Sequence, residues 1–428
     1  MKYEKYLTKN ALRPIAQVFG SQMLGKAVGF LVSILLVREL SKEDYAIYTV
    51  LITIQGMLIP LSNSAIFIGF KKIGGSVWED SVKMSNLIKT ANSIAPYITG
   101  LAYFLVSTYA GYILYKQEIS WIRIIGFLLI LLVIVLPEVK TGFFRSALLL
   151  REKVAPVQAS ELVGHFSRAI GIVALLFLVD ESYIILAIFF ITAISAWLTL
   201  SYVEKKARQD GISEIAEINV DYRSTLVKYI KLNWHNSAFF AFKGQISIFL
   251  IGVFGTTSSL ADIGALTRFG LIFTIATAIF NNIFAPSFGK IQNSSKLKKM
   301  YIFSVSGVSL LSFTITLFVY FFPKPFLWIL GENYQNLSYE LFLTFISASL
   351  GFILSTVYSL NLYKAWIHFT PLLEIPSDIV AIILGLFLFD ISTLRGVLYL
   401  GILTASINLI LHLSNAFYGI KHNEQDSE

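Results

Sequence analysis

Cysteine is absent from this chain of 428 residues, which excludes disulfides, thiolate metal sites and a cysteine nucleophile. Charge is scarce as well. Asp, Glu, Lys and Arg together make up 14% of the residues, where soluble chains carry about a quarter. Polar stretches long enough to form a soluble domain are missing, the longest mixed-charge segment being Glu204 to Lys231. Catalytic signatures are lacking too: there is no P-loop, no GxSxG, no HExxH and no large extramembrane loop with paired carboxylates. An enzyme is therefore not expected, nor a cofactor, a resident metal or a nucleic-acid partner. Without an ATP site, any transport must draw on an ion gradient, the membrane potential or downstream consumption of the substrate.

What the chain does have is apolar sequence. Hydrophobic residues make up 56% and the mean hydropathy is +0.70. A hydrocarbon core of ~30 Å takes ~20 apolar residues per helix, and runs of that length recur along the chain. Charges, Pro and Gly at their ends place spans near 12–37, 45–70, 87–114, 121–148, 156–179 and 183–204, then 229–254, 263–288, 300–322, 338–363, 368–389 and 396–419. The first run is followed at once by further spans and reads as a retained helix rather than a cleaved signal. The fold class is thus an all-α polytopic membrane protein of about 12 transmembrane helices. With both termini cytoplasmic, inside segments hold most of the Lys and Arg, among them Lys71, Lys72, Arg151, Lys153, Lys205, Lys206 and Arg208. The outside loops hold only Arg38, Lys42, Lys116, Arg123, Lys324 and Arg395. That positive-inside bias orients the chain and accounts for its net charge of +8.

An internal repeat divides the sequence. At an offset of about 218, Ser41, Asp44, Thr49, Ile54, Asn63, Phe70, Lys72 and Ile73 align with Ser259, Asp262, Thr267, Ile272, Asn281, Phe288, Lys290 and Ile291. Two pseudo-symmetric six-helix bundles are expected, 1–206 and 229–428, joined by a cytoplasmic connector over 207–228 read as an amphipathic surface helix. Both halves begin on the same side, so they are parallel repeats with a cavity expected between them.

Polar residues inside spans mark the candidate site, because a charge at the bilayer centre costs ~2.5–3.5 kcal/mol even on the mildest scale. Lys26 on the first helix and Lys243 on the seventh stand almost one repeat apart, and Arg268 lies on the eighth. The three together read as a cationic lining suited to a phosphate or diphosphate. Gln22, Ser33, Asn63, Asn236, Ser247 and Asn281 are the expected polar lining beside them. Gly25 and Gly29 carry the small-residue spacing of close helix packing. On the fifth helix Glu161, His165 and Arg168 share a face at i, i+4 and i+7, as do Glu374 and Asp378 on the eleventh. These five are candidates for ion coupling, against the alternative of neutralised structural groups. Pro137 and Glu138 fall mid-helix, with Glu138 and Arg145 on one face and able to pair. Threonines at 49, 53, 267 and 274 suit sugar hydroxyls, but such side chains more often bond their own helix.

The stretch Leu36-Val37-Arg38-Glu39-Leu40-Ser41-Lys42-Glu43-Asp44-Tyr45-Ala46-Ile47-Tyr48, with Ala261-Asp262-Ile263-Gly264-Ala265-Leu266-Thr267-Arg268 as its second-half counterpart, resembles bacterial polysaccharide-unit flippases. These are the Wzx-like members of the multidrug/oligosaccharidyl-lipid/polysaccharide exporter superfamily. Ala46 departs from the glycine common in that family, which Gly264 restores in the second half. The resemblance implies alternating access by a V-shaped pair of bundles in the bacterial inner membrane. Its implied substrate is an undecaprenyl-diphosphate-linked oligosaccharide, a repeat unit for O-antigen, capsule or exopolysaccharide, and its implied partners are membrane lipids and other polysaccharide-assembly membrane proteins. It also implies a positively charged cavity, to which Lys26, Lys243 and Arg268 would belong. The alternative within the superfamily is a cation-coupled multidrug exporter; a polytopic polymerase or ligase ranks below both, since the longest outer loop, near 323–337, is short.

Overall fold

The computed structural model describes residues 9–178, 183–212, 216–291 and 293–425, with side chains from Gly20 onward apart from isolated positions. Long apolar runs become helices because lipid offers no partner for a free peptide group, so each span satisfies its own backbone. The chain runs α1 Lys9–Glu39, α2 Lys42–Val77, α3 Ser81–Lys116, α4 Trp121–Leu150, α5 Val154–Leu176, α6 Ile184–Gln209, α7 Val220–Lys243 and α8 Ile246–Phe254. It continues through α9 Thr257–Leu266, α10 Gly270–Ile279, α11 Ala285–Gly289, α12 Ser294–Phe321, α13 Pro323–Leu330, α14 Ser338–Tyr363, α15 Thr370–Leu388 and α16 Leu394–Gln425. Among the described residues eleven helices are long and apolar enough to cross a membrane, twelve if α7 and α8 form one span. Polar side chains fix the starts: Ser41 accepts from Asp44 N, Asp80 from Val82 N and Lys83 N, and Asn219 from Tyr222 N.

Two of the expected continuous spans are interrupted. The seventh breaks at Gly244–Gln245, between α7 and α8. The eighth is built from α9, a 3-10 turn at Thr267–Phe269, α10, a π-helical turn at Phe280–Phe284 and α11. Pro286 explains the π turn, since it has no N–H for the carbonyl four residues back and its ring crowds that carbonyl. Pro60, Pro96 and Pro137, by contrast, are carried inside continuous helices.

By packing, the chain forms two units: Met1–Ser33 with Glu39–Ile246, and Ile34–Arg38 with Ser247–Glu428. This packing boundary lies beyond the connector expected over 207–228, because α7 belongs to the first unit. Leu226 and Tyr229 press against Gly69 of α2, and Lys72 Nζ donates to Tyr229 Oη at 2.8 Å. The described residues of 207–228 do not form one continuous helix. Residues 207–209 end α6, α7 begins at Val220, and the described residues between are pinned on α3 where Glu217 N donates to Asn86 and Asn219 N to Thr90, each at 3.0 Å. Beside it, Arg151 donates to Trp78 O, Ser81 Oγ and Asp210, with Lys153 Nζ 2.9 Å from Asp210 Oδ1. This clasp gathers the α2–α3 turn, the α4–α5 turn and the end of α6 at one end of the unit.

Apolar cores differ between the units. In the first, Phe67, Phe70 and Phe143 stack where α2 meets α4, an approach that Gly142 permits because a Cβ there would overlap the Phe67 ring. In the second, Phe269, Phe273, Phe326, Phe345 and Phe352 form an aromatic ladder.

Candidate functional site

Inside the first unit, α2, α4, α5 and α6 enclose a cavity of about 350 Å³. Three of those helices present the same i, i+3, i+4, i+7 face to it. The faces are Glu138, Thr141, Gly142 and Arg145 on α4; Glu161, Gly164, His165 and Arg168 on α5; Thr192, Ser195, Ala196 and Thr199 on α6. From α2 come Gln55, Ile59 and Asn63. Small residues let the charged ones in, for Gly164 lies against Thr199 Oγ1. Across from α5, Gly25 of α1 makes room for His165, where a Cβ would lie 2.7 Å from its ring, and Ser21 Oγ donates to Gln158 Oε1 at 2.7 Å.

The charges are interlocked without forming one closed pair. Gln55 Nε2 donates to Glu138 Oε1 at 3.2 Å, Arg145 Nε to Ser160 Oγ at 2.9 Å, and Arg168 Nη2 to Tyr48 Oη at 3.3 Å. The Glu138–Arg145 pairing expected from their shared face is thus replaced by two separate hydrogen bonds. Charge still couples the set: Glu138 lies within electrostatic reach of Arg168 and Arg145, Arg145 of Glu161, and His165 of both guanidinium groups. Several polar atoms of the lining are buried without a hydrogen-bond partner among the described residues: Gln55 Oε1, Asn63 Oδ1, Thr141 Oγ1, Arg168 Nε and Ser195 Oγ. Two carboxylates, two guanidinium groups and an imidazole thus share one space.

The second unit holds a cavity of a different kind, about 390 Å³, lined by Asn281 in the π turn and by Ser355, Tyr358, Ser359, Leu362 and Tyr363 on α14. None of these side chains is charged. Asn281 Oδ1 is also buried without a partner. Nearby, Asp378 is fully buried and accepts from Asn408 Nδ2 at 2.6 Å, while Glu374 lies within electrostatic reach of Tyr358.

The remaining sequence candidates scatter. Lys26 is half-buried on α1, Lys243 Nζ lies 5.7 Å from the Phe240 ring, and Arg268 sits in the 3-10 turn of the second unit. None of the three lines either cavity. Asn236 lines a further space between α2 and α7 with Asn233, Ser237 and Gln245, and Gln22 is half-buried on α1. Ser33 bonds its own helix at Phe30 O, and Ser247 faces Gly401. Thr49, Thr53, Thr267 and Thr274 likewise donate to carbonyls of their own helices. Sequence reasoning missed Gln55, Thr141, Ser195 and Thr199. The signal that could have found the last two is the polar face of α6, which repeats the spacing of α5.

Neither family models nor curated proteins match the sequence. Solved structures do match the fold. The chain aligns with the eukaryotic MATE transporter AtDTX14 over 97% of its own length and 99% of that chain, at a TM-score of 0.64 and 11% identity. An inward-facing multidrug resistance MATE family transporter of the MOP superfamily aligns over 97% and 100%, at 0.67 and 11%. The Vibrio cholerae MATE transporter VcmN aligns over 97% and 98%, at 0.59 and 16%. At these identities the likeness is one of fold.

Proposed function

From a chain with the fold of MATE transporters and a partly exposed titratable pocket in its first unit, we propose a secondary transporter that works by alternating access and is driven by proton entry. The observation that carries this reading is the cavity itself, with Glu138, Glu161 and His165 held between Arg145 and Arg168. A proton on a carboxylate or on the imidazole adds positive charge beside two guanidinium groups, so protonated and deprotonated forms favour different packings of α4, α5 and α6. For the cargo, the fold likeness supports export of drug-like molecules, one of the similar structures being a multidrug resistance transporter. The positive-inside bias of the sequence supports cytoplasmic termini and a cytoplasmic segment after α6, a reading that active alkaline phosphatase fusions at residue 212 would contradict.

Reconstitution in liposomes with an imposed pH gradient tests the reading. Addition of tetraphenylphosphonium or ethidium should discharge the gradient, and Glu161→Gln should slow this at least tenfold with protein abundance unchanged. Discharge that is equally fast in Glu138→Gln and Glu161→Gln removes the cavity from coupling.

A second cargo, a diphosphate-linked oligosaccharide, is favoured by the intramembrane cations Lys26, Lys243 and Arg268 and by the sequence resemblance. Under it, Lys26→Gln or Lys243→Gln lowers surface polysaccharide in a complemented deletion strain while arginine at either position retains more, since each deletes a charge-assisted contact worth about 1.5–3 kcal/mol. Full complementation by both Gln variants would reject it.

A further inference from the structure

We propose that the outward face of α7 docks an anionic glycerophospholipid, its phosphate held by Lys228, Lys231 and His235. Among the described residues, α7 reaches the apolar character of a membrane span only together with α8. One stripe is the reason. Leu226 and Tyr229 press one side of the helix against Gly69 of α2, and on the side turned away Ser224, Lys228, Lys231 and His235 follow at i, i+4, i+7 and i+11, all four exposed. No hydrogen bond or ion pair ties Lys228, Lys231 or His235 among the described residues. Phe239 and Phe242 continue the stripe at i+15 and i+18, so the face begins cationic and ends aromatic. Contact with α2 fixes its level: Lys72 Nζ donates to Tyr229 Oη at 2.8 Å and lies 5.2 Å from that ring. Lys72 and its exposed neighbour Lys71 therefore stand at the height of Lys228, within two turns of the end of α2.

An ammonium group that meets only hydrocarbon is costly, and a lysine relieves the cost by reaching the headgroup layer. A phospholipid answers both halves of the stripe. Its phosphodiester meets two ammonium groups and an imidazole spread over about 10 Å of helix, and an acyl chain runs on over Phe239 and Phe242. Neighbouring acids leave that charge uncancelled. On the same face of α7 the acid is Asp221, two turns from Lys228; α3 carries no Asp or Glu, and those of α2 are Glu43 and Asp44 at its far end. A zwitterionic headgroup would bring its own ammonium against the lysines, so the anionic class is selected. The inference goes beyond the transport readings and rests on none of them, because a lipid resident on one helix face is neither cargo nor coupling ion.

The chain has no cysteine, so Leu232→Cys, an exposed position beside the stripe, takes a single bimane label on the full chain in phosphatidylcholine nanodiscs. Brominated phosphatidylglycerol as a minor component should quench the label more than brominated phosphatidylcholine at the same fraction, with a relative affinity of roughly fivefold or more. Lys228→Gln and Lys231→Gln should each cut that preference roughly fivefold, the worth of one basic side chain at an anionic surface. Arginine at either position should keep it, and Lys205→Gln on α6 should leave it unchanged. If a Gln variant elutes as misfolded by size exclusion, salt gives the second measurement: ~1 M shortens the reach of charge to about 3 Å and should collapse the preference in the parent. No preference in the parent, or a preference that survives salt and both Gln variants, overturns the proposal. So does displacement of the brominated lipid by undecaprenyl diphosphate at about a hundredth of its amount, which would assign the face to a diphosphate lipid. No gradient is applied, so the result is independent of whether Glu161 couples protons.

Discussion

Asn63 and Asn281 stand at equivalent places in the sequence repeat, and each leaves a buried amide oxygen on a cavity of its own unit. Around Asn63 the companions are two carboxylates, two guanidinium groups and an imidazole; around Asn281 they are hydroxyls and aromatic rings. α2 carries Asn63 on an unbroken helix with Pro60 inside it, whereas Asn281 lies in a π turn. A repeated sequence has kept one polar position and given its surroundings opposite electrical character.

The sharpest way to break this contrast is to remove a charge from each side. Arg145→Ala leaves Glu138 and Glu161 short of a neighbouring cation in a half-buried site and should cost about 1.5–3 kcal/mol of stability, read as a fall in melting temperature in detergent. Arg145→Ala combined with Glu161→Gln should recover much of that loss, whereas Tyr358→Phe in the uncharged cavity should cost only ~1 kcal/mol. Equal losses in the two cavities would contradict the picture of one interlocked and one neutral site. A smaller effect tests packing. Gly142→Val drives a side chain into the Phe67 ring and should destabilise by ~1–3 kcal/mol, while Gly351→Ala, whose Cβ meets nothing within 4 Å, should be close to neutral. Ser41→Ala removes the cap of α2 and should cost ~1 kcal/mol, with Thr256→Ala doing the same for α9; thermal unfolding resolves both if measured side by side.

The smallest effect expected is one of pH. Burial raises the Asp210 carboxyl, but hydrogen bonds and charge from Lys153 and Arg151 outweigh it and hold the group below the usual carboxylate range. A depressed carboxyl contributes stability above its unfolded value of ~3.9 and loses it as pH falls through the lower folded value. Melting temperature should therefore drop less steeply below about pH 4 in Asp210→Asn than in the parent. A parallel drop in both would remove Asp210 from the acid response.

Much of the fold was legible because hydropathy records the solvent directly: the twelve expected spans match α1 to α6, α7 with α8, α9 to α11, α12, α14, α15 and α16. The breaks at Gly244–Gln245 and at Phe280–Phe284 were not, although Lys243-Gly244-Gln245 and Asn281-Asn282 before Pro286 interrupt the apolar sequence there, because a membrane helix carries isolated Gly, Pro and polar residues with or without breaking. In the site, Glu161, His165 and Arg168 stood out because charge is rare in a span, and the structure places them around one space. Gln55, Thr141 and Ser195 did not, for an uncharged polar side chain in a membrane helix reads equally well as packing or as lining. Lys26, Lys243 and Arg268 were grouped on the cost of charge in a span, with the repeat relating the two lysines; packing assigns Lys26 and Lys243 to the first unit and Arg268 to the second.

That last point bears on how the chain can be divided. α7 comes after the sequence midpoint yet packs along α2, fastened by Lys72 and Tyr229 and fed in by the strap on Asn86 and Thr90. A gene cut in the strap would produce a first fragment with the Gly69 face of α2 bare, and a second whose leading helix has lost its seat. Co-expressed pieces split after Ile246 should reassemble and work better than pieces split at residue 213, because only the first cut leaves α7 on the fragment it packs against.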